Sequence, residues 1–211
     1  MPALTHVDAG FLIPQHFSLM KNLIFLIYSI AFTVMIACSA QEKDPKELAD
    51  SINQTKDTVT NSADIITVRS NEAEFATNAA DAGLVEMELA HLATEKSVNT
   101  DLKAYASMML KDHGTANDEL IALAKSKNIA LPTAISTENQ KRKDELMEKT
   151  GADFDKKYAS LMEEEHVKVL AFMEHQARKG TDPDLKAFAA KNVPVINSHL
   201  NAIRKIKKTL K

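Results

Sequence analysis

Cysteine occurs once in the 211 residues, at Cys38. A single thiol excludes an intrachain disulfide framework, a paired-cysteine redox centre and a thiolate zinc site, so any metal here must be held by histidine and carboxylate. Tryptophan is absent, aromatic residues make up 5%, and there are five glycines and six prolines. That is too little turn-forming and strand-forming material for a sandwich, a barrel or a Rossmann sheet. No glycine-rich phosphate loop occurs either, and an all-α chain remains. Charge of one sign is also scarce: 26 Lys and Arg against 29 Asp and Glu leave a net charge of −3. With no basic excess, no nucleic acid is expected as a partner.

There is one long hydrophobic run, from Leu23 to Ala37, with Lys21 before it and a polar stretch after it. It is short of the roughly 20 residues that cross a bilayer and reads as the core of a signal peptide over 20–37. Ala37 directly before Cys38 resembles the lipobox of bacterial lipoproteins, where the signal is removed and the cysteine is lipidated; Met35 stands where leucine is usual. Asp8 is the only charge in residues 1–19, whereas Met20-Lys21-Asn22 would be a normal signal start. Residues 1–19 therefore read as an upstream extension of the coding sequence. Residues 38–69 read as a lipidated cysteine and a flexible tether, being rich in Asp, Lys, Ser, Thr and Asn. The expected location is beyond the inner membrane, in the periplasm or at the outer membrane, with the membrane as partner through the lipid.

From residue 70 to 211 apolar residues recur at three- and four-residue steps, the pattern of amphipathic helices. The first carries Phe75, Ala79, Ala82, Glu86, Leu89 and Ala93, with Asn71 as its expected cap; the second carries Leu102, Ala106, Met109, His113, Ala116, Leu120 and Leu123. A short polar helix is expected from Thr137 to Lys149. The third main helix, opened by a Thr150/Asp153 capping box, carries Tyr158, Met162, His166, Val169 and Met173. The fourth opens on Asp182-Pro183 and carries Leu185, Phe188, Asn192, Ile196, His199 and Ile203. Short turns between long helices predict an up-down-up-down four-helix bundle, with the short helix ahead of the third main one.

Each main stripe has one ionisable residue where an aliphatic one would pack: Glu86, His113, His166 and His199. Counting from the expected turns puts Glu86, His113 and His166 at one height and His199 about 4.5 Å away from it, at 1.5 Å per residue. Three imidazoles and a carboxylate in a bundle core suit zinc, copper or iron. A hydrogen-bonded structural layer answers the same cost of burying charge and stays open as an alternative. Asp112 and Glu165, adjacent to two of the histidines, are candidates for holding ligand rings from behind. Glu174 is a flanking candidate.

Ferritin-type di-iron sites pair Glu-x-x-His on two helices with a Glu on each of two others. Glu88 to His91 and Glu163 to His166 have that spacing, but at 100° per residue Glu88 and His91 face outward when Glu86 faces inward. A di-iron oxidase is thus the third reading, after metal binding and a non-catalytic interaction module. His175 also lies off the stripe. No nucleophile with its base and no separated acid–base pair stands out, so no substrate is implied.

Six strings carry a resemblance: Gly83-Leu-Val-Glu86, Met109-Leu-Lys-Asp-His113, Gly151-Ala-Asp-Phe-Asp155, Met162-Glu-Glu-Glu-His166, Gly180-Thr-Asp-Pro-Asp-Leu-Lys-Ala-Phe-Ala189 and Val193-Pro-Val-Ile-Asn-Ser-His199-Leu. With them the chain from about Asn71 to Lys208 resembles the bacterial domain-of-unknown-function 4142 family of secreted or outer-membrane proteins. The family usually has Phe where Met173 stands and Leu where Val193 stands. The resemblance implies a secreted ferritin-like bundle with Glu86, His113, His166 and His199 as recurrent polar positions, and it supplies no activity.

The signal-peptide reading has a direct test. Mass spectrometry of the native membrane fraction should find a mature chain that starts at an acylated Cys38, and Cys38→Ala should release the protein from that fraction. A mature start elsewhere, or a variant still retained, contradicts the lipoprotein assignment.

Overall fold

The computed structural model describes residues 43–59 and 70–210, all of them helix, turn or coil with no strand among them. The expected upstream extension, the signal peptide and Cys38 lie outside the described residues. Among the described residues six helices follow one another: α1 (Pro45–Val59), α2 (Ser70–Lys96), α3 (Thr100–Ser126), α4 (Thr137–Met147), α5 (Gly151–Lys179) and α6 (Pro183–Lys207).

Local chemistry accounts for most of the ends. Asn99 caps α3, its side-chain oxygen accepting from the N–H groups of Asp101 and Leu102, and Asp182 does the same for Asp184 and Leu185 with Pro183 in the first turn of α6. Two expected caps do not form. Helix α2 already begins at Ser70, so Asn71 lies inside its first turn. Thr150 precedes α5 without a side-chain cap bond, and Gly151 there takes φ +56, a left-handed conformation that suits glycine.

Contacts at the helix ends fix the directions. Ser97, in the α2–α3 turn, donates to Asp155 at the start of α5 (2.6 Å). At the opposite end, Glu72 of α2 accepts from the backbone N–H (2.6 Å) and hydroxyl (2.8 Å) of Thr181 in the α5–α6 turn. Lys127, closing α3, pairs with Asp182 at the start of α6 (2.8 Å). Helices α3 and α5 therefore run the same way and α2 and α6 the other. The order is up-down-down-up, not the expected up-down-up-down.

The reason is α4, a crossover along the outside of α2. It starts beside Asp81, which accepts from the Ser136 N–H (2.7 Å) and the Asn139 amide (2.8 Å). It passes Glu88, which pairs with Lys143, and ends where Lys96 donates to the Met147 carbonyl. Its eleven helical residues cover roughly 16 Å at 1.5 Å each, and the stretch 127–136 ahead of them covers the rest of the return along the bundle before α5 begins. His113 and His166, 13 residues past Thr100 and 15 past Gly151, are thus level because both helices start from the same end.

The expected tether is also corrected over residues 45–59, where α1 is a helix docked on the bundle. Ala49 and Asn53 are buried. The Asn53 amide donates to the Ala130 carbonyl (2.9 Å) and accepts from the Ala130 N–H (2.8 Å), while Thr77 donates to Asp50 (2.5 Å). Polar bonds rather than an apolar stripe hold α1. Its composition therefore reads as tether, with Leu48 and Ile52 left exposed.

Two apolar cores fill the bundle. One gathers Leu89, Tyr105, Met109, Tyr158, Met162, Leu200 and Ile203; the other gathers Phe75, Leu120, Met173, Leu185, Phe188 and Ile196. Asn53→Ala should cost about 1–3 kcal/mol, because it strands both backbone groups of Ala130. Chemical denaturation measures this, and an unchanged midpoint would mean that α1 adds nothing to the fold.

Candidate metal centre

Between the two cores lies a polar layer with one residue from each long helix: Glu86 of α2, His113 of α3, His166 of α5 and His199 of α6. All four are buried, His166 completely. The three imidazole centroids are 5.4–5.8 Å apart, and one ring nitrogen from each histidine lies within 4.8 Å of the other two. The outward positions are as the phase predicts. His91 and His175 are exposed, Glu88 turns to Lys143, and Glu163 pairs with Arg204 (3.0 Å) and Lys207 (2.8 Å). The residues that suggested a di-iron set are therefore dispersed.

Each ring is held through one nitrogen. His166 Nδ1 donates to the Met162 carbonyl (2.8 Å), His113 Nδ1 lies 3.1 Å from Glu86 Oε2, and His199 Nε2 lies 3.0 Å from Asp112 Oδ2. The Met162 carbonyl and the Asp112 carboxylate can only accept, so in neutral rings His166 Nδ1 and His199 Nε2 carry the hydrogens and the opposite nitrogens carry lone pairs; His113 Nε2 carries one when its Nδ1 donates to Glu86. Those opposite atoms, His113 Nε2, His166 Nε2 and His199 Nδ1, are buried without any hydrogen-bond partner. Three ring nitrogens without a protein partner thus share one buried layer.

Glu86 is placed differently from the expected fourth ligand. Its carboxyl lies behind the rings, against Nδ1 of His113 and 3.3 Å from Nδ1 of His166, whose hydrogen is directed to Met162 instead. The group able to hold a metal ion is His113, His166 and His199 without it. Of the two flanking acids, Asp112 does hold a ring, that of His199 on the neighbouring helix. Glu165 does not reach the layer; it pairs with Arg142 of α4 and is 3.5 Å from Lys168. Glu174 pairs with Arg178 along its own helix. Sequence reasoning missed the Met162 carbonyl, which no side-chain pattern signals, and the tyrosines beside the layer. Tyr105 lies with its ring 6.4 Å from those of His166 and His199, and its hydroxyl and that of Tyr158 are buried and unpaired.

The electrostatics follow from dryness. Burial pushes the Glu86 carboxyl up to about 8. It pushes His113 down to about 3, helped by His166 and His199, and His166 down to about 4, helped by His199 and opposed by the Met162 bond. Both tyrosine hydroxyls are raised, chiefly by burial. At neutral pH His113 and His166 are uncharged, the form in which imidazole binds metal.

The family profile for a domain of unknown function, DUF4142, matches residues 40–206. The chain belongs to this family. The match starts ahead of α1, in keeping with α1 as part of the folded unit. A solved structure described as CopM in the Cu(II)-bound form superposes with a TM-score of 0.58 at 12% identity, over 66% of this chain and 97% of that one. At that identity the likeness is one of fold. No curated protein matches the chain.

The opposed shifts give a pH signature for the metal-free DUF4142 domain. A raised carboxyl binds more protons folded than unfolded, so its contribution falls as pH rises from 4.5 towards 8. Lowered histidines bind fewer, so theirs falls as pH drops from 6.5 towards 3–4. Between pH 6.5 and 8 wild-type stability should decline by no more than about 1.4 kcal/mol per unit from this one group. Glu86→Gln should flatten that limb and leave the acid limb in place, which denaturation at stepped pH would reveal. An identical alkaline slope in the variant would mean that Glu86 is not the buried titrating group.

Proposed function

We propose that this protein binds one transition-metal ion through His113 Nε2, His166 Nε2 and His199 Nδ1. The observation that supports the reading is a set of three buried imidazoles, each with one ring nitrogen that has no partner and each bringing a nitrogen within 4.8 Å of the other two. A purely structural layer would have paired them, since leaving buried polar atoms unsatisfied costs about 1–3 kcal/mol each. The donor set suits the group. Neutral imidazoles serve zinc, copper and iron, and three protein nitrogens form the pattern of centres that keep one position open. Tetrahedral bonds of about 2.0–2.1 Å would set the nitrogens roughly 3.4 Å apart, so the rings would draw together slightly on the ion.

In this reading the chain's own parts have separate tasks. Glu86, the Met162 carbonyl and Asp112 each hold one nitrogen of a ring, and the two apolar cores flank the layer. An ion bound there would supply positive charge and Lewis acidity. The up-down-down-up order with one crossover is the connectivity expected of a ferritin-like bundle, and the similar fold of CopM, solved with Cu(II), is compatible with copper as the ion. Sequestration in the bacterial envelope, with a lipid at Cys38, completes the proposal. Its support is the apolar run Leu23–Ala37 and the small residue before Cys38. Among the described residues no helix is long and apolar enough to cross a membrane.

Adding Cu²⁺ or Zn²⁺ to the demetallated protein should raise its melting temperature, with about 2.7 kcal/mol of stabilisation at a hundredfold excess over Kd. His166→Ala should abolish the response and His91→Ala should keep it. X-ray absorption should show three imidazoles around the ion. If neither ion moves the wild-type melting curve, the layer is structural and the protein is better read as an interaction module.

A further inference from the structure

A cleft of about 30 Å³ runs against the metal centre. Its inner end is formed by Glu86, His113 and His199, and its walls include Ala82, Gly83, Ala116, Asn192 and Val195. On the α2 side the wall is shut: a Cβ on Gly83 would stand 2.3 Å from the Asn117 side-chain oxygen, so these helices already touch. The α3–α6 side is looser. There Val195 is 37% exposed, Asn192 is half-buried, and the Asp112 side chain keeps 35% of its surface in solvent while its carboxylate holds His199. Asp112 is thus the link between the buried layer and bulk water.

A water needs roughly 10–15 Å³ of such space. The cleft therefore seats two or three water-sized groups and no sizeable organic molecule. Two of the three histidines line it, so it adjoins the position that three protein ligands leave open.

Resting on the metal-binding reading, we propose that the cleft between α3 and α6 is a port onto the histidine centre. It admits the ion past Asp112, and it then gives a small exogenous donor of water or azide size access to the ion's remaining position. Nothing larger fits, so the centre discriminates ligands by size rather than by hydrogen-bond pattern. The ion stays exchangeable instead of being sealed in the core.

The test uses the purified full chain loaded with Cu²⁺. Binding of one ion per chain reports the underlying reading; azide titration, followed by the charge-transfer absorption and electron paramagnetic resonance of the copper, reports the port. Azide should shift both spectra of the wild type. Ala116→Val narrows the cleft from within, and Val195→Phe covers its exposed rim, where a fold defect is less of a concern. Each should keep one ion per chain yet weaken azide binding and slow copper loading by about tenfold or more. Ile121→Phe, exposed on α3 and away from the cleft, should change neither. A copper-loaded wild type blind to azide, or rim and wall variants that load copper and bind azide like wild type, would overturn the port. Failure to bind copper at all would remove the metal centre and the port with it.

Discussion

The structure depends on a shortage of hydrogen-bond partners inside one dry layer. An imidazole has two ring nitrogens, and a buried one must find a partner for each or bear the cost. Here the protein supplies one partner per ring from three different sources: a carboxyl on α2, a main-chain carbonyl on α5 and a carboxylate on α3. No donor is supplied for the other nitrogens. With apolar cores on either side, water cannot make up the deficit freely. The same burial moves Glu86 one way and His113 and His166 the other, since it penalises whichever form carries charge.

Such a layer needs four helices held at matched heights, and apolar packing alone is too undirected to hold them. Buried polar clamps at the bundle ends provide the direction. Glu72 ties the α5–α6 turn to α2, Asp155 ties the α2–α3 turn to α5, and Asp81 seats the start of the crossover. Asn53 ties α1 to the loop before α4 through both polar groups of Ala130. Each clamp joins segments far apart in sequence, so the register of the histidines is set by side chains well away from them.

Much of this was legible from residue spacing and some was not. The four ionisable interruptions of the stripes, the outward phase of His91 and the cap at Asp182 all follow from 3.6-residue periodicity and local chemistry. Helix direction does not, because a stripe reads the same whichever way its helix runs. Only the length and docking of α4 decide it, and α4 has little apolar pattern of its own. For the same reason α1 reads as tether: its anchors are an amide and a carboxylate, which composition counts as solvent-facing. The place of Glu86 behind the rings rather than among the ligands turns on which side of a carboxyl the imidazoles approach, a distinction finer than any register.

The two Met-x-x-acid-His strings show where periodicity stops being informative. Asp112 and Glu165 each precede a layer histidine by one residue, and each lies about 100° round its helix from it. That rotation carries an acid out of the layer and into a seam with whichever helix is adjacent. For α3 the adjacent helix is α6, so Asp112 meets His199 and becomes part of the centre. For α5 it is the crossover α4, so Glu165 meets Arg142 and secures the crossover instead. The same local motif thus serves the metal centre in one helix and the scaffold in the other. The difference is created by the up-down-down-up connection, which puts α4 where a bundle with only short turns would have left solvent.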